Sequence, residues 1–285
     1  MDWAMLILPA LFAGLVAIAV TVAIERWGGR TGGVLGTLPS TIVPAAIGIY
    51  GQSSSIEAFH DAMFMTPAGI LLNAAFLLLW RGLPPKLPDW GLGRRLGAMI
   101  VISLVAWFVI ALLTVVGMGW VREQVDSLFY VGLVVTLSIA GFGVWASYKA
   151  PPAPKGKRRV GPFTLLARGV LAALAIAGAI ALAAAGGGLA AGLASVFPAI
   201  FITTMVSLWW SQGEAVQSGA VGPMMLGATS VATFAMVAAF TLPAWGSFWG
   251  TVSAWVLAAG GVTLPSALWL RRLTAIEQRA EAKSG

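Results

Sequence analysis

The sequence lacks cysteine altogether and contains a single histidine. The absence of cysteine excludes disulfide bonds, thiolate metal sites and a cysteine nucleophile. Charged residues are also scarce, since Asp, Glu, Lys and Arg together make up only 9% of the 285 residues. A soluble domain carries a far larger charged fraction, which keeps its surface in water. The scarcity of charge therefore argues against an ordinary soluble protein.

Long apolar runs take the place of the missing charge. Hydrophobic residues make up 59% of the chain. Each run of roughly 20 apolar residues can cross a hydrocarbon core of about 30 Å as a helix. We therefore predict an all-α integral membrane protein of about nine transmembrane helices. The predicted spans lie near residues 3–24, 32–52, 62–80, 96–119, 127–147, 163–185, 189–210, 219–240 and 246–270.

The basic residues predict how these spans are oriented. The net charge is +7, and all of the 17 Lys and Arg residues except Arg122 fall on one side of the nine-span arrangement. Because cytoplasmic loops are enriched in Lys and Arg, we predict a bacterial inner (plasma) membrane protein with its N-terminus outside and its C-terminus cytoplasmic. The first run follows Asp2 rather than a basic segment, so we expect a retained helix instead of a signal peptide.

Three landmarks recur in the same order in the two halves of the chain. A Gly-rich motif at residues 28–33 is followed by Pro39, and its counterpart at 187–192 is followed by Pro198. Further along each half come a glutamine, a glutamate, a proline and then a tryptophan. The matched pairs are Gln52 and Gln212, Glu57 and Glu214, Pro67 and Pro223, and Trp107 and Trp255.

The repeat predicts the domain organisation. Residues 1–119 form the first transmembrane repeat, 120–162 a connecting helix with a basic cytoplasmic linker, 163–270 the second repeat and 271–285 a cytoplasmic tail. Equivalent helices are five crossings apart, an odd number, so the second repeat is inverted relative to the first. Inverted repeats are the recurring plan of secondary transporters, although the step from fold to transport is an analogy.

The predicted function is therefore a secondary transporter or facilitator of a small solute by alternating access, with a divalent metal cation as one option. The alternatives are an intramembrane enzyme or a non-catalytic subunit of a membrane complex. The predicted spans contain no Ser/His/Asp set, HExxH motif or aspartyl pair, so we expect no catalysis and no cofactor. The expected partners are the small-molecule or ion substrate and membrane lipid, with a homodimer left open. Basic residues confined to short loops argue against nucleic acid as a partner.

The predicted substrate or ion path follows the prolines that are equivalent in the two repeats. Proline removes a backbone donor and leaves a carbonyl for another partner, which within a membrane is protein, water or solute. A simple kink in a packed bundle is the alternative, and nearby hydroxyls also bond to carbonyls of their own helix. Besides the two glutamates, the predicted path residues are Thr37, Pro39, Ser40, Thr41, Gln52, Pro67, Ser195, Pro198, Thr203, Thr204, Gln212 and Pro223.

Glu57 and Glu214 are the only carboxylates shared by both repeats, and they are predicted to lie at opposite faces of the membrane. They are interpreted either as symmetry-related gate or ion-binding groups, or as solvated acids favoured by a helix N-terminus. The only histidine lies close to the first of them. Glu57, His60 and Asp61 on one helix start could capture a divalent metal, although a single such cluster at a membrane surface is more often incidental.

Two further features favour helix packing over ligand binding. Asn73 is the only amide deep within a predicted span, and it is expected to bridge helices rather than contact solute. The glycines of the two Gly-rich motifs have small-xxx-small spacings, which allow helices to approach closely. A backbone anion site at a helix start is the alternative for these glycines.

Overall fold

The computed structural model describes residues 3–27, 38–148 and 161–284, and all regular secondary structure in these ranges is helical. The predicted all-α class is therefore confirmed for these residues. A short 3₁₀ turn (Pro84–Lys86) and a π-helical segment (Ala259–Thr263) accompany ten α-helices. These are α1 (Trp3–Trp27), α2 (Ile42–Gln52), α3 (Ile56–Gly82), α4 (Leu92–Gln124), α5 (Phe129–Tyr148), α6 (Pro162–Ala184), α7 (Gly188–Ala194), α8 (Ala199–Gln212), α9 (Glu214–Ala258) and α10 (Leu264–Ser284).

Six helical segments of the described chain are long and apolar enough to cross a membrane, fewer than the nine predicted spans. Among the shorter apolar helices are Leu6–Ala19, which lies within α1, and Ile42–Gln52, which covers the described end of the second predicted span. The last two predicted spans are merged into one segment. The six segments are Ile56–Gly82, Leu92–Gln124, Phe129–Tyr148, Pro162–Ala184, Gly188–Trp210 and Glu214–Leu273.

The last of these segments turns back on itself at Gly246. This residue has a φ of 73° and a ψ of 172°. This backbone conformation lies outside the helical region, and glycine adopts it more readily than other residues. The hydroxyl of Thr241 donates a 2.8 Å hydrogen bond to the carbonyl of Gly250, nine residues later. In a continuous helix these residues would be about 13 Å apart. Residues 214–245 and 247–273 are therefore two arms of a tight helical hairpin.

Helices α3 and the first arm of α9 form the centre of the bundle and run antiparallel. At one end, the Gln217 amide near the start of α9 donates a 2.7 Å hydrogen bond to the carbonyl of Trp80 near the end of α3. At the other end, the ring of His60 lies 5.8 Å from that of Phe240. Helix α5 packs on both central helices, while α1 packs on α6 at the side of the bundle.

The seventh predicted span, 189–210, is a broken helix. Helix α7 ends at Ala194, the turn Ser195–Pro198 follows, and α8 begins at Ala199. A side chain at Gly188 or Gly192 would collide with the carbonyl oxygens of Ala58 and Ala62 on α3. The predicted close packing of the second Gly-rich motif is thus confirmed at these two glycines. The first motif, residues 28–33, lies outside the described residues.

Candidate functional site: a cavity between two proline turns

Pro39 and Pro198 lie in the same local structure in the two halves of the chain. The amide of Ser40 donates to the carbonyl of Leu38 at 2.6 Å, and the amide of Ala199 donates to that of Phe197 at 2.7 Å. In each case a buried proline is the central residue of a three-residue turn, and a helix follows. Helix α8 begins directly after Pro198, and α2 begins at Ile42, three residues after Pro39. The pairing of these prolines by sequence is therefore matched by their backbone hydrogen bonds.

The two turns face one cavity of about 60 Å³, which has room for a few water molecules or a small solute. Leu38, Thr41 and Ile42 line it from the first turn and the start of α2. Residues 195–197 and 199–201 line it from the second turn and the start of α8. Both proline segments therefore contribute to the walls of one cavity.

The remaining walls come from positions near the middle of three long helices. Ile70 and Asn73 lie halfway along α3, Ala172, Ala175 and Ile176 halfway along α6, and Ala228 and Val231 halfway along the first arm of α9. The cavity is therefore at mid-depth in the bundle. Its walls are mostly apolar, with a few polar groups from Thr41, Asn73 and Ser195.

Asn73 joins three elements at the edge of this cavity. Its Nδ2 donates a 2.7 Å hydrogen bond to the carbonyl of Val196, inside the second proline turn. Its Oδ1 accepts a 2.9 Å bond from the indole Nε1 of Trp107 on α4. The expectation that Asn73 bridges helices is confirmed, and the same side chain also lines the cavity.

A buried arginine lies one helical turn from the cavity. Arg168 on α6 is only 3% exposed, and its Nε and Nη2 donate 2.9 Å hydrogen bonds to the hydroxyls of Thr203 and Thr204. Ala172 and Ala199, one turn further along α6 and one turn back along α8, are wall residues. From the sequence, Arg168 contributed only to the basic residues that predicted the orientation, although it lies at the start of the predicted span 163–185. The missed signal is an ionisable side chain inside an apolar segment, which by default indicates a functional position.

Several predicted path hydroxyls are engaged by their own helices. The Ser195 hydroxyl donates to the carbonyl of Gly192 at 2.6 Å, and that of Thr203 to the carbonyl of Ala199 at 2.7 Å. Ser40 lies within the first proline turn, next to the lining residue Thr41. Thr37 lies outside the described residues.

The other predicted path residues lie on the helices that surround the cavity. Pro67 and Pro223 are buried inside α3 and α9, each within two turns before wall residues of the same helix. Gln52 is the last residue of α2. Gln212 is the last residue of α8, and its side chain is not among those described.

Glu57 and Glu214 lie at opposite ends of the bundle, at the starts of the antiparallel helices α3 and α9. Glu57 is exposed in the first turn of α3, after the N-cap Ser55, whose hydroxyl accepts a hydrogen bond from the amide of Ala58. Glu214 instead forms a 3.0 Å ion pair with Arg95. Neither carboxylate lines the cavity.

The residues of the predicted metal site have other partners. Asp61 forms a salt bridge with Arg122, whose Nε lies 2.8 and 3.0 Å from the two carboxylate oxygens. The ring of His60 packs 5.5 Å from that of Phe64 and 5.8 Å from that of Phe240. In the described part of the chain, no group of three His, Asp or Glu side chains is arranged to hold a metal ion. Glu57, His60 and Asp61 are thus neighbours on one helix that the structure does not gather into a ligand set.

A comparison of the chain with protein-family models, curated proteins and solved structures finds no match to any of them. The functional assignment therefore depends on the cavity, the two proline turns and the side chains around them.

Proposed function

We propose that the chain is an integral membrane transporter or facilitator of a small solute, and that the solute passes through the cavity between the two proline turns. The observation that carries the proposal is the position of this cavity, at mid-depth in the bundle and walled by both proline turns. Secondary transporters typically place their solute site near the bilayer midplane, between discontinuous helices of two inverted repeats.

The proposal includes nine crossings, an inverted repeat and an N-terminus outside. The reversal at Gly246 supports two crossings in the segment Glu214–Leu273. Helix α1 and the predicted span that ends with α2 would supply the other two beyond the six apolar segments. The antiparallel packing of α3 and α9 supports inversion, because these two helices carry the matched glutamates and prolines.

The chemistry of the walls favours an uncharged solute. The residues that line the cavity include no carboxylate, so a divalent cation would find no counter-charge there. Apolar walls with a few hydroxyl and amide groups suit a small molecule with an apolar body and a hydrogen-bonding group. The proposal therefore commits to such a solute rather than to the metal option.

The test uses the natural absence of cysteine. In right-side-out and inside-out membrane vesicles, the single thiol of Ile200→Cys is exposed to the membrane-impermeant reagent MTSET. If the cavity opens alternately to the two sides, the thiol reacts in both preparations. The matched control is Leu112→Cys, at a position that is 65% exposed on the outer surface of α4 and should be in lipid. Reaction from one side only, or as slowly as the control, would contradict the proposed path.

A further inference from the structure

Helix α4 makes three polar contacts near the broken helix α7–α8, one at each end of α4 and one near its middle. At its C-terminal end, Arg122 forms the salt bridge to Asp61 and donates from Nη1 to the carbonyl of Val125 at 2.9 Å. Asp61 lies on the face of α3 that receives α7, since a side chain at Gly188 would lie 3.6 Å from the Cβ of Asp61. The ion pair therefore joins α4 to the part of α3 against which α7 begins.

The N-terminal end of α4 holds the opposite end of the broken helix. The Nη2 of Arg95 lies 3.0 Å from the carboxylate of Glu214 and 2.7 Å from the carbonyl of Pro84. Its guanidinium also lies over the ring of Trp209, 5.3 Å from the centroid, which is a cation–π contact. Trp209 is in the last turn of α8, and Glu214 is the first residue of α9. Arg95 therefore fastens the α8–α9 junction.

The middle contact is at the break itself. Trp107 donates to Asn73, and Asn73 donates to the carbonyl of Val196. Val196 lies in the turn Ser195–Pro198, where the backbone departs from the helical path and where the cavity has one of its walls. The turn is thus tied to α4, while the ion pairs at the two ends of α4 lie beside the far ends of the two half-helices.

We infer that α4 braces the broken helix and that the pairs Arg122–Asp61 and Arg95–Glu214 are the two gates of the proposed solute path. The inference rests on the proposed function. Releasing one pair frees one half-helix to move about the proline turn, which opens the cavity to that end only. The paired side chains are 19–30% exposed, so each ion pair is partly screened by solvent and is weak enough to break and re-form.

The experiment places each gate change in the Ile200→Cys background and measures the MTSET reaction rate from each side. Arg122→Gln is expected to raise the rate at least about fivefold from the Arg122 side and to leave the rate from the other side at or below the parent value. Glu214→Gln is expected to produce the opposite asymmetry. The exchanged pair Asp61→Arg with Arg122→Asp is expected to return the rates towards those of the parent.

The matched controls are Glu123→Gln and Arg94→Gln, exposed neighbours of Arg122 and Arg95 that should leave both rates unchanged. A loss of folding would raise the reaction rate from both sides together, and that outcome overturns the inference. So would gate variants whose rates match the parent on each side. If the parent thiol reacts from both sides but the gate variants do not change the rate on one side relative to the other, the proposed solute path is retained and only the assignment of the gates is wrong. If the parent reacts from one side or neither, the proposed function itself fails.

Discussion

The amide nitrogen of Asn73 donates a 2.7 Å hydrogen bond to the carbonyl of Val196, 123 residues further along the chain. The proline that follows in this turn, Pro198, has no amide hydrogen, and Ala199 donates within the turn instead. A side chain from α3 thus satisfies a carbonyl at the point where the helix is broken. Asn73 is therefore both a structural cap and part of the cavity wall.

Replacing Asn73 by leucine should destabilise the protein. Asn73→Leu keeps a similar volume but leaves the Val196 carbonyl and the Trp107 indole without their partner, at a cost of about 1–3 kcal/mol. The measurement is unfolding in mixed micelles with increasing SDS. Ser138→Ala is the control, because that exposed hydroxyl bonds only to its own helix, and its effect should stay within about 0.5 kcal/mol. Equal stability of the Asn73→Leu variant and the parent would contradict this role.

The threonines beside Arg168 should contribute measurably to stability. Thr203→Val and Thr204→Val each remove one acceptor from a buried guanidinium, and hydrogen bonds to charged groups are worth about 1.5–3 kcal/mol. Both variants should unfold at lower SDS than the parent. Thr233→Val provides the comparison, because its hydroxyl donates only to the carbonyl of Thr229 on the same helix. A cost for Thr233→Val as large as that of the other two would remove the argument for a special role of Arg168.

Glycine-to-alanine changes should separate close packing from simple helix propensity. In Gly192→Ala the new methyl group would fall on the Ala62 carbonyl, so α7 must move away from α3, at about 1–3 kcal/mol. Gly178 on α6 has open space around its Cβ position. Gly178→Ala should therefore stabilise the protein by up to about 1 kcal/mol, because alanine is the better helix former. A neutral Gly192→Ala variant would show that the two helices are not in close contact.

The orientation can be tested with single cysteines and an impermeant maleimide on intact cells. Cysteines at Glu57 and Glu123 should react, whereas those at Pro152 and Ser284 should react only after the membrane is permeabilised. The reverse pattern would contradict an N-terminus outside. The contact between Asp61 and Arg122 adds an internal check, since Glu57 and Glu123 must then react from the same side. Labelling of these two positions from opposite sides would contradict the packing of α3 on α4.

Part of this arrangement could be predicted from the properties of single residues in the sequence. Pro39 and Pro198 each follow a Gly-rich motif at the same spacing, so they could be paired from the sequence, and proline disrupts a helix because it removes a backbone donor. The bridging role of Asn73 followed from its amide, which is costly to leave unpaired in an apolar segment. The close contact at Gly192 followed from its lack of a side chain.

Other parts depended on tertiary contacts that a hydropathy pattern does not contain. Glu214 begins α9, and its partner Arg95 is in the first turn of α4, 119 residues earlier in the chain. The partners of Arg168 are hydroxyls on another helix, so its burial could not be read from its neighbours in sequence. The reversal at Gly246 lies at the boundary between the predicted spans 219–240 and 246–270, but the backbone conformation that produces it is not contained in the hydropathy pattern.

The placement of Trp107 within α4 has a mechanical consequence. With 33 residues, α4 is about 50 Å long, and Trp107 lies 15 residues before Arg122 and 12 after Arg95. A rigid helix attached near its centre can rotate about that point, so its two ends move in opposite directions. If Arg95 is displaced by about 1 Å towards the bundle axis, Arg122 swings outward by about 1.2 Å in the opposite sense. In the proposed transporter, such a lever makes the openings at the two ends mutually exclusive, which is the condition for moving a solute across a membrane without a continuous leak.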